Sequence, residues 1–350
     1  MWACLPALFV IAERRKRSVC GGNMNGIKGA CCLVTGGAGF VGSTIVDQLV
    51  SAGAAEVRII DNFVRGSWTN LAWALDQPGV NVIEGDIREA GLVDHATEDV
   101  DYVFHQAALR ITRCAEAPRE AKEVLIDGTF NVLEAALRYK VRKVVAASSA
   151  SVYGEPSCLP IDEGHPFNNT TMYGAGKIAL EQMLRALHST SGLAYVALRP
   201  FNIYGPRMDM EGAYTEVLIR WLDAIDANTP PLIFGDGTQS MDFVYVEDVA
   251  RANLLAAQSD VSDDVFNVGS GTQTSLYELC MLLLKLTDSS QRPEYRAPRS
   301  VGNVQRRRAA VDKAEKLLGF RSTVSLEQGL QELISWRHSA KATSAVAVQQ

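Results

Sequence analysis

The run Cys31-Cys32-Leu33-Val34-Thr35-Gly36-Gly37-Ala38-Gly39-Phe40-Val41-Gly42 carries more fold information than any other part of this chain. Residues suited to a buried strand pass without a break into a glycine-rich turn, and a helical pattern follows. Gly36, Gly39 and Gly42 are spaced GxxGxxG. That spacing meets three needs at once: a tight turn, backbone that can come close to a pyrophosphate, and close packing of helix on strand. A helix opening here aims N–H groups and the positive end of its dipole beyond the turn, which suits phosphate. Strand, glycines, helix and a second strand in that order make the pattern specific.

The second strand-like run ends at Asp61, about 20 residues on. A carboxylate there accepts hydrogen bonds from adenosine ribose hydroxyls and repels a 2′-phosphate, which favours NAD over NADP. Arg65 stands close enough to weaken that discrimination. Asp86-Ile87, after the third run, either flanks an adenine or simply forms a turn.

The rhythm continues along the chain. Strand-like runs fall at Cys31–Thr35, Val57–Asp61, Val80–Glu84, Val100–His105, Lys143–Ser148 and Tyr195–Leu198. Helical patterns cover Val41–Ala52, Ala121–Tyr139 and Met172–Thr190. In the last, Ile178, Leu180, Met183, Leu184 and Leu187 largely follow the spacing of one buried face. Strand, helix, strand at this pace predicts an α/β fold: a Rossmann-like, doubly wound parallel sheet with helices on both faces. After Pro200, Gly and Pro interrupt the pattern at Tyr204-Gly205-Pro206, Pro230-Pro231 and Gly235-Asp236-Gly237. A smaller C-terminal α/β lobe packed over the sheet is expected there. The expected organisation is an extension over residues 1–23, an NAD-binding domain over 24–200, a mainly substrate-binding lobe over 201–338 and a flexible tail over 339–350. Some segments of the lobe are allowed to return to the sheet.

Composition narrows the function. The 350 residues are 47% apolar and 21% charged, which excludes a disordered chain. A net charge of -6 argues against nucleic acid as the main partner. The basic cluster Arg14, Arg15, Lys16 and Arg17 is short and reads as a solvated run. The apolar stretch Trp2–Ala12 contains Pro6 and has about half the roughly 20 residues a bilayer span needs. Its positive charges follow the apolar run, the reverse of a secretory signal. No membrane partner is expected, and Met24 is a plausible alternative start. The seven cysteines are odd in number and none is in CxxC spacing, which speaks against disulfides or structural zinc. Free thiols and a cytoplasmic location fit better. The five histidines are scattered and read as structural or surface residues, so no metal site is expected.

Tyr173 and Lys177 stand i, i+4 in a helical pattern, on one face. Ser148-Ser149 ends a strand-like run, where open α/β sheets keep their ligands. A free tyrosine, with a pKa of about 10, is a poor base at neutral pH. A neighbouring ammonium and the charge of an oxidised nicotinamide would both favour the phenolate. Tyr173 is then a candidate to take a proton from a sugar hydroxyl, with Ser149 sharing the hydrogen bond. The plainer alternative is a tyrosine that packs its ring against the helix.

These residues fall into ordered motifs: Gly36-Gly37-Ala38-Gly39-Phe40-Val41-Gly42, His105-Gln106-Ala107-Ala108, Ser148-Ser149-Ala150-Ser151-Val152-Tyr153-Gly154, Tyr173-Gly174-Ala175-Gly176-Lys177, Arg199-Pro200-Phe201-Asn202-Ile203-Tyr204-Gly205-Pro206-Arg207 and Phe243-Val244-Tyr245-Val246-Glu247-Asp248-Val249. Together they resemble the extended short-chain dehydrogenase/reductases, and among those the nucleotide-sugar epimerases of the UDP-glucose 4-epimerase type. The resemblance runs from about Gly29 to Trp336. It implies a tightly held NAD that is not consumed. By it, Tyr173 is the base, Ser149 its hydrogen-bonding partner, and Lys177 both tunes Tyr173 and holds the nicotinamide ribose. Hydride leaves sugar C4, the 4-keto intermediate turns over, and hydride returns to the other face.

The same resemblance places Gly36, Gly39, Phe40, Val41, Asp61, Asn62, Asp86, Ile87, Ala107, Ala108, Tyr173, Lys177 and Pro200 against the cofactor. It places Ser149, Asn202 and Arg299 against the nucleotide-sugar substrate, with Arg299 otherwise an exposed charge, and it implies a homodimer. Sugar 4,6-dehydratases carry Asp-Glu directly after the catalytic hydroxyl, and related decarboxylases a Glu in the second slot; here stand Ala150 and Ser151. Three positions depart from the family pattern: Met241 where an arginine usually reaches the diphosphate, Leu125 where an Asn is common, and Ala310 for a frequent Asp. Arg207, Arg299 and Arg306 to Arg308 are the candidates to compensate for Met241. A different sugar-nucleotide oxidoreductase or dehydratase, or a non-catalytic NAD-binding sensor, stays open as an alternative.

Overall fold

The computed structural model describes residues 26–210, 217–298 and 304–347. The expected extension over residues 1–23 lies outside them. Six strands alternate with helices from the start: β1 (Cys31–Thr35), β2 (Glu56–Asp61), β3 (Val80–Glu84), β4 (Tyr102–His105), β5 (Lys143–Ala147) and β6 (Tyr195–Pro200). The helices between them are α1 (Phe40–Ser51), α2 (Trp68–Leu75), α3 (Ala90–Thr97), α4 (Ile111–Glu116), α5 (Pro118–Lys122), α6 (Thr129–Arg138) and α7 (Met172–Ser191). The later chain adds β7 (Asn202–Tyr204), α8 (Val217–Asp226), β8 (Leu232–Phe234), β9 (Ser240–Met241), β10 (Phe243–Tyr245), α9 (Val246–Gln258), β11 (Asp264–Val268), β12 (Thr274–Ser275), α10 (Leu276–Leu286), β13 (Glu294–Arg296), α11 (Asp312–Leu318) and α12 (Leu326–Ala347).

The central sheet has seven strands in the order β11-β6-β5-β4-β1-β2-β3. Every pairing is parallel, with Thr35 opposite Ile60 on one side and His105 on the other. This is the Rossmann-like doubly wound sheet that the alternating pattern implies. The period-two alternation of β1 sends Cys32 and Val34 to one face and Cys31 and Leu33 to the other. The first face is covered by Ile45, Val46 and Leu49 of α1 and by Val249 and Ala250 of α9. The second is covered by Val93 of α3, Val132 and Leu133 of α6, and Leu180 and Leu184 of α7. Each such fully buried aliphatic side chain contributes about 1.5–3 kcal/mol.

Two expectations change. The helical pattern over Ala121–Tyr139 is not one regular helix: Glu123–Gly128 is a π-helical turn between α5 and α6. The tail expected to be flexible over 339–350 continues α12 as far as Ala347, because a stretch rich in Ala with few helix breakers propagates the helix already running there. A seventh sheet strand, β11, and its neighbour α9 come from the later half of the chain. The remaining later elements build a separate core around Trp221, Leu222, Ile233, Leu279, Leu283 and Leu333. No helix among the described residues is long and apolar enough to cross a membrane. Cys31, Cys32, Cys114 and Cys280 are buried cysteines and Cys158 is an exposed one, none of them in a disulfide.

Candidate active site

The strand ends converge on one cleft of about 1770 Å³ between the sheet and the later lobe. A single small-ligand site takes roughly 300–1,000 Å³, so there is room for two nucleotides. Of the expected site residues, Gly36, Gly39, Phe40, Val41, Asp61, Asn62, Asp86, Ile87, Ala107, Ala108, Ser149, Tyr173, Lys177, Pro200 and Asn202 all line it. Arg299 lies outside the described residues.

The glycine turn is built for close approach. Gly36 has φ +69°, and a Cβ there would meet the Ala107 backbone at 2.8 Å. A Cβ on Gly42 would meet the Gly36 carbonyl oxygen at 2.1 Å, so α1 can lie against β1 only with glycine at that position. Gly39 precedes α1 in extended conformation and no side chain caps it, which leaves the helix end to face the cleft. At the end of β2, the Asp61 carboxylate accepts the Ala38 N–H at 2.9 Å and the Phe63 N–H at 2.9 Å. Burial pushes its pKa up and these two bonds pull it back. Arg65 pairs with Asp209 at 3.5 Å, across the cleft from the later lobe. Asp86 is a turn residue and an ion-pair partner together: it accepts the Arg88 backbone N–H at 2.9 Å and both sides of the Arg88 guanidinium, which holds its pKa down at about 2. Asn62 donates to its other face at 2.8 Å. This turn, α1 and Asp61 fit a dinucleotide.

The trio sits at the ends of β5 and α7. Ser149 follows β5 and caps the short 3-10 turn Ala150–Tyr153, its hydroxyl accepting the Ser151 N–H at 3.1 Å. Thr171 caps α7 by accepting the Gly174 N–H at 3.0 Å, and Asn169 holds Thr171 in turn. Tyr173 therefore emerges in the first turn of α7 and Lys177 one turn later. Tyr173 and Ser149 both line the cleft. Burial raises the pKa of Tyr173, and the Ser149 side chain nearby pulls it back. Lys177 donates to the Ala147 carbonyl at 2.6 Å and lies 5.6 Å from the Tyr173 ring centroid. Burial brings its pKa down to about 8, so at pH 7 it is still mostly an ammonium.

Several supporting residues escaped the sequence reading. Behind the trio, Arg199 forks onto Glu181, its Nε donating to Oε1 at 2.8 Å and its Nη2 to Oε2 at 2.6 Å. Both side chains are nearly fully buried, and Ser148 also donates to Glu181. The available signal was a carboxylate one turn beyond Lys177 in the midst of an apolar helix face. Leu125 packs with Cys114 and Ala121 behind Tyr173, and a Cβ on Gly176 would meet its side chain at 2.7 Å. His105 bonds Thr35 and Thr129, and burial takes its pKa down to about 3, so it is a neutral structural residue. Met241 lines the cleft. Of the arginines expected to compensate for it, Arg207 lines the cleft but pairs with Asp47 of α1 at 2.6 Å, Arg306 and Arg308 are exposed, and Arg307 lines the cleft. No cluster of potential metal ligands occurs among the described residues.

A doubly wound sheet with a glycine turn, a carboxylate at the end of the second strand and a Ser-Tyr-Lys grouping in one cleft defines an extended short-chain dehydrogenase/reductase. The chain belongs to the NAD-dependent epimerase/dehydratase family, whose model matches residues 32–269. It is 35% identical over 307 residues to UDP-glucose 4-epimerase of Mycolicibacterium smegmatis, covering 87% of this chain and 97% of that one. It is 34% identical over 321 residues to UDP-N-acetyl-α-D-glucosaminuronate decarboxylase of Bacillus cytotoxicus, again covering 87% and 97%. Among solved structures, UDP-N-acetylglucosamine 4-epimerase from Methanobrevibacter ruminantium M1 in complex with UDP-N-acetylmuramic acid matches with a TM-score of 0.85 at 33% identity, over 89% of this chain and 99% of that one. The protein is an NAD-dependent enzyme of this family, and NAD is its cofactor.

Proposed function

We propose that the protein is a nucleotide-sugar 4-epimerase, acting on UDP-sugars and inverting the C4 hydroxyl through a 4-keto intermediate. One observation carries this reading. Ser149, Tyr173 and Lys177 line the same cleft with Lys177 beside the Tyr173 ring, and the loop after Ser149 offers Ala150 and Ser151 with no carboxylate. Epimerisation needs a base, a hydrogen-bonding hydroxyl and a hydride carrier. Dehydration needs an additional acid pair, which that loop lacks.

Gly36, Gly39, Asp61 and Lys177 would hold the dinucleotide. Bound NAD supplies the hydride acceptor and donor. The phenolate of Tyr173 takes the proton of the sugar 4-hydroxyl, and the phenol gives it back to the same oxygen after the sugar has turned over. Ser149 hydrogen-bonds that oxygen in both halves and holds it near Tyr173. The Lys177 ammonium favours the phenolate against the opposing pull of burial. The cleft's 1770 Å³ leaves space for a keto sugar to present its other face.

The UDP preference rests on epimerases similar to this chain, which act on UDP-sugars by name. A cytoplasmic homodimer belongs to the same reading, supported by the family resemblance and by the free cysteines. The test is a screen of UDP-, GDP-, CDP- and dTDP-sugars with product identification by NMR. The reading expects the C4 epimer from a UDP-hexose. A deoxy-keto sugar, a pentose from a uronate, or no product from any of them would overturn it.

A further inference from the structure

Two pieces of chain must stand at a fixed distance for the proton to pass: the end of β5, which leads into Ser149, and the start of α7, which carries Tyr173 and Lys177. Lys177 supplies one tie between them, its Nζ donating to the Ala147 carbonyl at 2.6 Å. Glu181 supplies a second. It stands one turn beyond Lys177 on α7, and its carboxylate accepts the hydroxyl of Ser148, the residue just before Ser149.

Arg199 carries the tie to the far side of Ser149. Leu198 of β6 lies opposite Ala147 of β5, so Arg199 is level with Ser148. Alternation along β6 turns Arg199 to the same face as Ala197, the face that α7 covers. There its Nε and Nη2 fork onto Glu181 at 2.8 and 2.6 Å, and its Nη1 donates to the Tyr153 hydroxyl at 2.8 Å and the Glu163 carbonyl at 3.1 Å. Tyr153 ends the 3-10 turn that Ser149 caps, and its own hydroxyl donates to Asn267 Oδ1 of β11 at 2.7 Å. The residue before Ser149 and the turn after it are thus both fastened to one ion pair, and one member of that pair belongs to α7.

We propose that Glu181 and Arg199 are positioning residues for the reaction, the pair setting the distance from Ser149 to Tyr173 and Lys177. The assignment rests on the reading above that these three act on a sugar hydroxyl. Neither Glu181 nor Arg199 lines the cleft, so both act through the residues they hold. Their side chains are 4% and 3% exposed, and a pair so buried is no more stabilising than apolar residues of the same volume. What it adds is direction, because hydrogen bonds fix distance and angle where apolar contact does not. A displacement of about 1 Å at a reacting group costs on the order of 100-fold in rate.

The test replaces the pair by an apolar one, Glu181→Met with Arg199→Met, which leaves neither charge buried alone. In steady-state kinetics of the NAD-loaded protein with UDP-glucose, well below the melting temperature, kcat should fall about 10- to 100-fold while KM stays within about twofold. Arg337→Met is the control: Arg337 is buried against Asp223 and Asp226 in the later lobe, so its loss should lower the melting temperature and leave kcat unchanged. A crystal structure of the NAD-loaded double variant reads the geometry directly, and the distance between the Ser149 and Tyr173 hydroxyls should differ from wild type by about 1 Å. Glu181→Gln, of the same size, serves if the double variant does not fold. It breaks one arm of the fork, and the same two measurements apply. A folded variant with wild-type kcat, a loss confined to KM, or an unchanged Ser149–Tyr173 distance would overturn the proposal. Wild-type protein that forms no 4-epimer from UDP-glucose would overturn the epimerase reading instead, and the Ser149–Tyr173 distance would still decide this one.

Discussion

Lys177 Nζ stands 5.6 Å from the centre of the Tyr173 ring and spends a hydrogen bond on the Ala147 carbonyl at 2.6 Å. One turn of α7 separates the two residues, and the end of β5 ties the lysine down. The ammonium is thus fixed beside the phenol by backbone rather than by a mobile partner. Tyr173 is the group that must gain and lose the proton. Tyr173→Phe should cut turnover by about 10²- to 10⁴-fold, the range for removing a general acid–base. Bound NAD, read from the cofactor content of the purified variant, should be unchanged. Wild-type turnover in that variant would remove Tyr173 from the mechanism.

Burial of Lys177 has a pH signature. Its folded pKa is about 8 and its ordinary value 10.5, so between those two the unfolded chain binds more protons than the folded one. Stability attributable to this residue therefore rises with pH across that window. Denaturant titrations of the NAD-free wild type and Lys177→Met should show the wild type gaining about 3 kcal/mol on the variant from pH 8 to 10.5. A difference that stays flat, or moves the other way, would mean the lysine is not desolvated.

Asp61 uses its two carboxylate oxygens to hold Ala38 and Phe63 and to face the cleft. Asp61→Ala should weaken NAD by about 10- to 100-fold, through lost charge-assisted bonds, and narrow the gap to NADP. Paired cofactor titrations measure both. An NAD-to-NADP ratio equal to wild type would refute the assignment.

Gly36 tolerates nothing larger. Gly36→Ala would add strain at φ +69° and a collision with the Ala107 backbone, so a stability loss of about 2–4 kcal/mol and poor NAD retention are expected. Gly91→Ala is the control: it meets open space in α3 and should be neutral or slightly stabilising. Equal melting temperatures for the two variants would contradict the account of the turn.

What the sequence revealed was local. β1 and the glycine turn follow from twelve consecutive residues, and β3 lies at Val80–Glu84 as its apolar run indicated. Elements that depend on distant partners were less visible. β11 joins the sheet by pairing Asp264–Val268 with Val196–Pro200, and nothing near it in sequence announces that. The π-helical turn at Glu123–Gly128 keeps a helical hydrophobic pattern, so periodicity alone does not separate it from α-helix. The site divides the same way. Tyr173 and Lys177 share a helix face and were readable from their spacing. Glu181 and Arg199 meet only when α7 packs on β6.

The central claim is that hydrogen removed from sugar C4 returns to that same carbon on the opposite face. The most direct measurement is NMR of the product from a UDP-hexose deuterated at C4, incubated with the NAD-loaded protein. The account predicts a C4 epimer that keeps deuterium at C4. Deuterium moved to C6, lost to solvent, or left on a sugar of unchanged configuration would contradict it.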